Sequence, residues 1–136
     1  MALRAETMRI LQEESELNEI VQLVGIDALS WKDRLTMEVA RSVREDYLQQ
    51  NAFDEVDTYT SLKKQYRMLK LVLAYGKRGA EALDSGVELS SVLNLPVRDR
   101  IARMKYIPES EIDTQLNGIE DALNSQIAAL ADEGGR

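Results

Sequence analysis

The chain has 136 residues, with 17 Lys and Arg against 24 Asp and Glu, a net charge of −7 at neutral pH, and neither Cys nor His. That length suits one domain able to bury roughly two thirds of the surface its unfolded form exposes. The missing residue types exclude disulfides, thiolate metal sites and histidine bases, and the charge opposes nonspecific attraction to nucleic acid or anionic lipid.

No apolar run reaches the roughly 20 residues that a bilayer span needs, and the opening MALRAETMRI lacks the apolar stretch of a secretory signal. The expectation is a soluble, cytosolic chain with no direct membrane insertion and no nucleic-acid partner.

The first predicted element runs from Leu3 to Val24, where Leu3, Ile10, Leu17 and Val24 repeat at helical spacing and Ile20 and Val21 widen the stripe. Glu13, Glu14, Glu16 and Glu19 are assigned to its wet face. Gly25 follows as a cap that tolerates a left-handed conformation. Ser30 and Asp33 have the spacing of a capping box, which predicts a second helix over about Trp31 to Gln49.

In the third segment Leu62, Tyr66, Leu69, Leu73, Gly76, Ala80 and Leu83 step by four and three along one predicted face, between an N-cap at Ser61 and a stop at Gly86. Gly76 and Gly79 each cost about 1 kcal/mol relative to Ala inside a helix, so a close helix approach or a bend is expected there. VELSSVLNLP predicts a short helix ended by Leu95 and Pro96, and Pro96 suits the first turn of PVRDRIARMKY. Ser110 and Asp113 repeat the capping-box spacing before a last helix carrying Ile112, Leu116, Ile119, Leu123, Ile127 and Leu130. No stretch alternates with period two. The expectation is an all-α fold: a single domain over residues 1–136, built as a compact bundle of five or six helices.

Four features bear on chemistry. YGKRGAE, residues 75–81, has glycines and a lysine but lacks the earlier Gly, the following Ser or Thr, and the strand-to-helix setting of a phosphate loop; helix is the better reading. Asp54, Glu55 and Asp57 lie close enough to bind a cation, yet without the ligand and glycine spacing of a calcium loop, so capping and solvation are favoured and no metal site is assigned. Arg98, Arg100, Arg103 and Lys105 concentrate positive charge in an acidic chain. They either dock an acidic partner or complement a helix C-terminus and neighbouring acids. Phe53, the single Phe, stands in a predicted loop, as a buried anchor or as an aromatic face for a planar ligand.

Three stretches, ILQEESELNEIVQLVGIDAL, VREDYLQQNAFDEVDTY and LPVRDRIARMKYIPE, are together similar to the C-terminal part of the catalytic A subunit of archaeal-type and vacuolar-type rotary ATPases. The resemblance covers about residues 8–109, and LQQNAFD and RIARMKYIP carry most of its specificity. It implies an excised helical domain of a longer subunit that alternates with B subunits in a hexameric ring and moves against a central stalk, coupling ATP hydrolysis or synthesis to ion transport. It places Phe53 against the adenine ring, with Gln50 and Asn51 flanking it near base or ribose. It also makes the Glu88–Arg103 segment, with Arg98, Arg100 and Arg103, the stalk-facing candidate. ATP or ADP with magnesium is implied for the parent subunit, whose phosphate loop, catalytic Glu and magnesium ligands belong to another domain. No catalytic residue is therefore assigned here, and the fragment is expected to be inactive alone, without tight nucleotide binding. The implied location is cytoplasmic and peripheral on the membrane. The alternative is a self-contained helical scaffold or regulator with one groove for a partner helix and no nucleotide.

Overall fold

The computed structural model describes residues 2–48 and 61–134. Helix α1 (Ala2–Val24) leads through a 3-10 turn (Ile26–Ala28) to α2 (Trp31–Ser42), which continues as a π-helical turn, Val43–Leu48. Next come α3 (Leu62–Asp84), the short α4 (Leu89–Leu93) and α5 (Val97–Arg103). Two 3-10 turns, Met104–Tyr106 and Glu109–Glu111, precede α6 (Ile112–Gly134). Among the described residues there is no strand, and the all-α expectation holds.

Most helix boundaries follow from local chemistry. Ser30 Oγ accepts from the Asp33 amide (3.1 Å) and Ser61 Oγ from the Lys64 amide (3.0 Å), satisfying donors that a helix start leaves free. Gly25 has φ 93° and ψ 163°. This lies in an extended region open almost only to glycine, not in the left-handed helical region expected of it. The start of α6 differs from the capping-box reading. Ser110 lies within a 3-10 turn, and Asp113 reaches across to Lys63 and Arg67 of α3, because two cations on a facing helix outcompete a local cap.

Helix α2 packs against α1 and α3, while α3 also meets α6. Covered from both sides, α3 buries Met68, Leu71, Val72, Tyr75 and Ala82 together with Leu69 and Leu83. The predicted stripe had identified one edge of this arc. Its first members point outward, with Leu62 83 % and Tyr66 56 % exposed. The two glycines permit the α2 contact: a β-carbon on Gly79 would lie 3.0 Å from Val92 Cγ1 and 3.1 Å from Leu35 Cδ2. The expected close approach is present within one continuous helix.

Helix α1 also departs from its predicted stripe. Thr7, Ile10 and Glu14 are buried, whereas Ile20, Leu23 and Val24 are exposed, since no described element covers that end. The α6 stripe agrees with expectation: Ile112, Leu116, Ile119 and Leu123 are buried and Ile127 and Leu130 pack against them.

Candidate functional site

Phe53, Gln50 and Asn51, with Asp54, Glu55 and Asp57, lie outside the described residues. The chain on either side of them is described and is held by identifiable groups. Upstream, α2 widens into its π-helical turn, a form often found at functional positions. Arg44 of that turn grips both carboxylate oxygens of Glu14, one at 3.1 Å from Nε. Glu14 was assigned to the wet face of α1; the fold buries it because Arg44 compensates its charge. The Glu45 carbonyl accepts from Lys105 Nζ (3.1 Å).

Downstream, the Ser61 amide donates to Glu109 Oε1 (2.7 Å) and the Ser61 hydroxyl to Glu109 Oε2 (2.8 Å). Lys64 is 0 % exposed, and its Nζ donates to the carbonyls of Lys105 (2.8 Å) and Ile107 (2.7 Å). The Ser61 amide above all, helped by its hydroxyl and the charges of Lys64 and Lys63, holds the Glu109 carboxyl below its ordinary range against an opposing effect of burial. Beside it, Asp113 bonds Lys63 (3.0 Å) and Arg67 (2.8 Å).

The basic stretch is divided by the fold. Arg98 turns inward, with Nη2 on Glu38 Oε2 (3.0 Å), Nη1 on the Leu93 carbonyl (3.0 Å) and its guanidinium 5.2 Å from the Tyr75 ring centre. The Tyr75 hydroxyl donates to the Val92 carbonyl (2.9 Å). Burial pushes this phenol up to about 12, with Arg98 opposing the shift and Glu38 adding to it. Arg100 Nη1 meets the Gly118 carbonyl of α6 (3.4 Å). Arg103 points outward beside Asp99 (3.4 Å), both well exposed. The Val97 amide donates to Gln126 Oε1 (2.9 Å), fastening the start of α5 to α6.

The other features separate from these sites. Residues 75–81 lie inside α3 and form no loop. A groove of about 820 Å³ lies between α1, α2 and α3, lined by Ile10, Leu35, Val39 and Leu73, with Lys70 and Lys77 beside them. Among the described residues no group of three or more acids could hold a metal ion, and no helix is long and apolar enough to cross a membrane.

Sequence reasoning missed Lys64, Glu109, Glu38 and the Glu14–Arg44 pair. One signal for Lys64 was available: the positions 64, 68, 71, 75, 79 and 82 form a helical stripe as regular as the chosen one. The others are pairings across 30 to 60 residues of chain, which periodicity does not report.

These observations define an all-α helical bundle in which α2 and α3 pack together and α3 and α5 both meet α6. The family described as the C-terminal domain of V and A type ATP synthase matches residues 1–93, and the chain belongs to that family. The V-type ATP synthase alpha chain of Acetivibrio thermocellus is 62% identical over 128 residues, 94% of this chain and 22% of that protein. The protein of the same name from Clostridium perfringens is 60% identical over 134 residues, 98% of this chain and 22% of its own length. The V-type ATP synthase alpha chain 1 of Clostridium tetani is 58% identical over 133 residues, again 98% and 22%. The chain thus spans 22% of the length of these relatives.

Proposed function

We propose that the chain serves as the C-terminal helical domain of the catalytic A subunit, or alpha chain, of a rotary ATP synthase, and couples ATP hydrolysis or synthesis to stalk rotation and ion transport. The observation that carries this reading is the 62% identity to a V-type ATP synthase alpha chain along 94% of the chain. In this role Phe53 offers an aromatic face to adenine, with Gln50 and Asn51 beside it. Aromatic stacking suits a moving part because it tolerates small ring displacements. The phosphate and magnesium ligands come from the remainder of the alpha chain.

The partners under this reading are B subunits of the ring and the central stalk, at a cytoplasmic, membrane-peripheral location. Of the basic residues, Arg103 and Arg100 supply the outward charge for the stalk, while Arg98 braces α5 through Glu38. Close-packed helices suit the mechanical role, since a tightly filled core transmits displacement instead of absorbing it. The test is ATP turnover by the assembled complex carrying Phe53→Ala. The KM for ATP should rise, and an unchanged KM in a folded complex would return Phe53 to the role of loop anchor.

A further inference from the structure

We propose that the groove between α1, α2 and α3 is a docking site for an acidic amphipathic helix of another polypeptide, with Lys70, Lys77 and Arg78 of α3 receiving its carboxylates. The inference rests on the proposed function only in taking the full-length alpha chain to work within a complex.

The charge of the groove is the reverse of that of the chain. Of its cations, Arg9 is matched by Glu6 and Glu13, and Lys32 by Asp84. Lys70, Lys77 and Arg78 line the same groove and pair with no described carboxylate, and only Glu81 among the lining acids is likewise without an ion pair to a described residue. An excess of positive charge is thus left open in a chain whose net charge is −7. Arg78 also has a buried Nε with no hydrogen-bond partner. A charged donor withdrawn from water without an acceptor is costly, and the guanidinium fork matches the two oxygens of a carboxylate.

The shape selects the occupant further. Lys70 and Lys77 are both exposed on α3, close to two helical turns or about 10 Å apart along one side of it, and the partly buried Leu73 lies between them. A helix lying along α3 presents carboxylates at that separation from positions two turns apart, with its apolar residues turned onto Leu73 and the groove floor. Such a helix satisfies its own backbone. An extended peptide would need a sheet edge for its amides, and the described residues contain no strand. A phosphate-rich partner would leave the apolar floor unused and would meet the repulsion of the whole acidic chain.

The experiment treats the assembled complex, containing the full-length alpha chain, with a carbodiimide that joins a lysine amine to a carboxylate only where the two already touch, and locates the new amide bonds by mass spectrometry. Lys70 and Lys77 should be joined to Asp or Glu residues about two turns apart in one segment of another subunit, with a yield that falls as salt rises. Acetylation of both lysines should proceed in the free full-length alpha chain and be lost on assembly. Lys70→Glu with Lys77→Glu should weaken assembly, most at low salt, whereas Lys70→Arg with Lys77→Arg keeps the charge and should leave assembly close to that of the parent chain. Cross-links to the alpha chain's own carboxylates or to a second alpha chain, equal acetylation in the free and assembled states, or assembly indifferent to the charge reversal would each overturn the inference. The adenine and stalk contacts, tested at Phe53, Arg100 and Arg103, would stand or fall separately.

Discussion

Gly76 of α3 lies so close to Val39 of α2 that a β-carbon on the glycine would stand 2.8 Å from Val39 Cγ2. Val39 is buried, and a β-branched side chain has little freedom to swing away. Gly76→Ala should therefore destabilise the chain by about 1–3 kcal/mol through overpacking, although alanine alone would favour the helix by about 1 kcal/mol. Urea unfolding measures the difference. In the double variant with Val39→Ala the two costs should fall short of their sum, because the smaller side chain leaves room for the new methyl group. Additive costs would show that the contact is not the cause.

Adjacent lysines provide a second comparison. Lys63 pairs with Asp113 at an exposed site, whereas Lys64 is buried on two carbonyls. Lys64→Met keeps much of the packing but leaves those acceptors unpaired, and should cost about 1–3 kcal/mol. Lys63→Met should stay within about 0.5 kcal/mol of the parent chain. Equal effects in chemical denaturation would contradict the assignment of Lys64 as a structural clamp.

Glu109 makes stability depend on pH in a defined direction. Its carboxyl is held below its ordinary value of 4.5 in the folded chain, chiefly by the Ser61 amide. Such a group binds protons more readily when unfolded, so its contribution is complete above about 4.5 and is lost as pH falls through the lowered folded value. Asp113, lowered mainly by Lys63 and also by Arg67, acts in the same direction. Thermal unfolding between about pH 6 and pH 3 should show a smaller loss of stability for Glu109→Gln than for the parent chain, with part of the slope retained through Asp113. An unchanged slope would contradict the Ser61 pairing.

Much of the fold was legible because helical period and cap chemistry are local. Ser30, Ser61, Gly25 and Gly86 mark boundaries within a residue or two, and Leu116, Ile119 and Leu123 name the buried face of α6. The errors share a physical origin. Leu62 and Tyr66 fit a helical stripe, but which stripe faces inward depends on the elements that cover α3. Glu14 looked solvated because Arg44, its partner, lies 30 residues further on. The QNAF stretch stands as a candidate on resemblance alone, whereas the separation of Arg98 from Arg103 required the packing of α5 against α3 and α6.

If α5 faces the stalk as proposed, Arg103→Glu and Arg100→Glu in the complex should weaken stalk association, more at low salt than at high salt. Reversing Arg98 is a poorer test, since it would place two acids face to face with Glu38 and disturb the fold. Stalk association that ignores Arg100 and Arg103 at every ionic strength would leave both as helix-end charges.

The most direct measurement is the affinity of the full-length alpha chain, within its ring, for ATP and for inorganic triphosphate, with Phe53 intact and with Phe53→Ala. If the domain supplies the base contact, ATP binding should weaken by about 1–3 kcal/mol, the range for losing one aromatic stack, and triphosphate binding should not change. Equal ATP affinity for the two forms, or an equal loss for both ligands, would contradict the account.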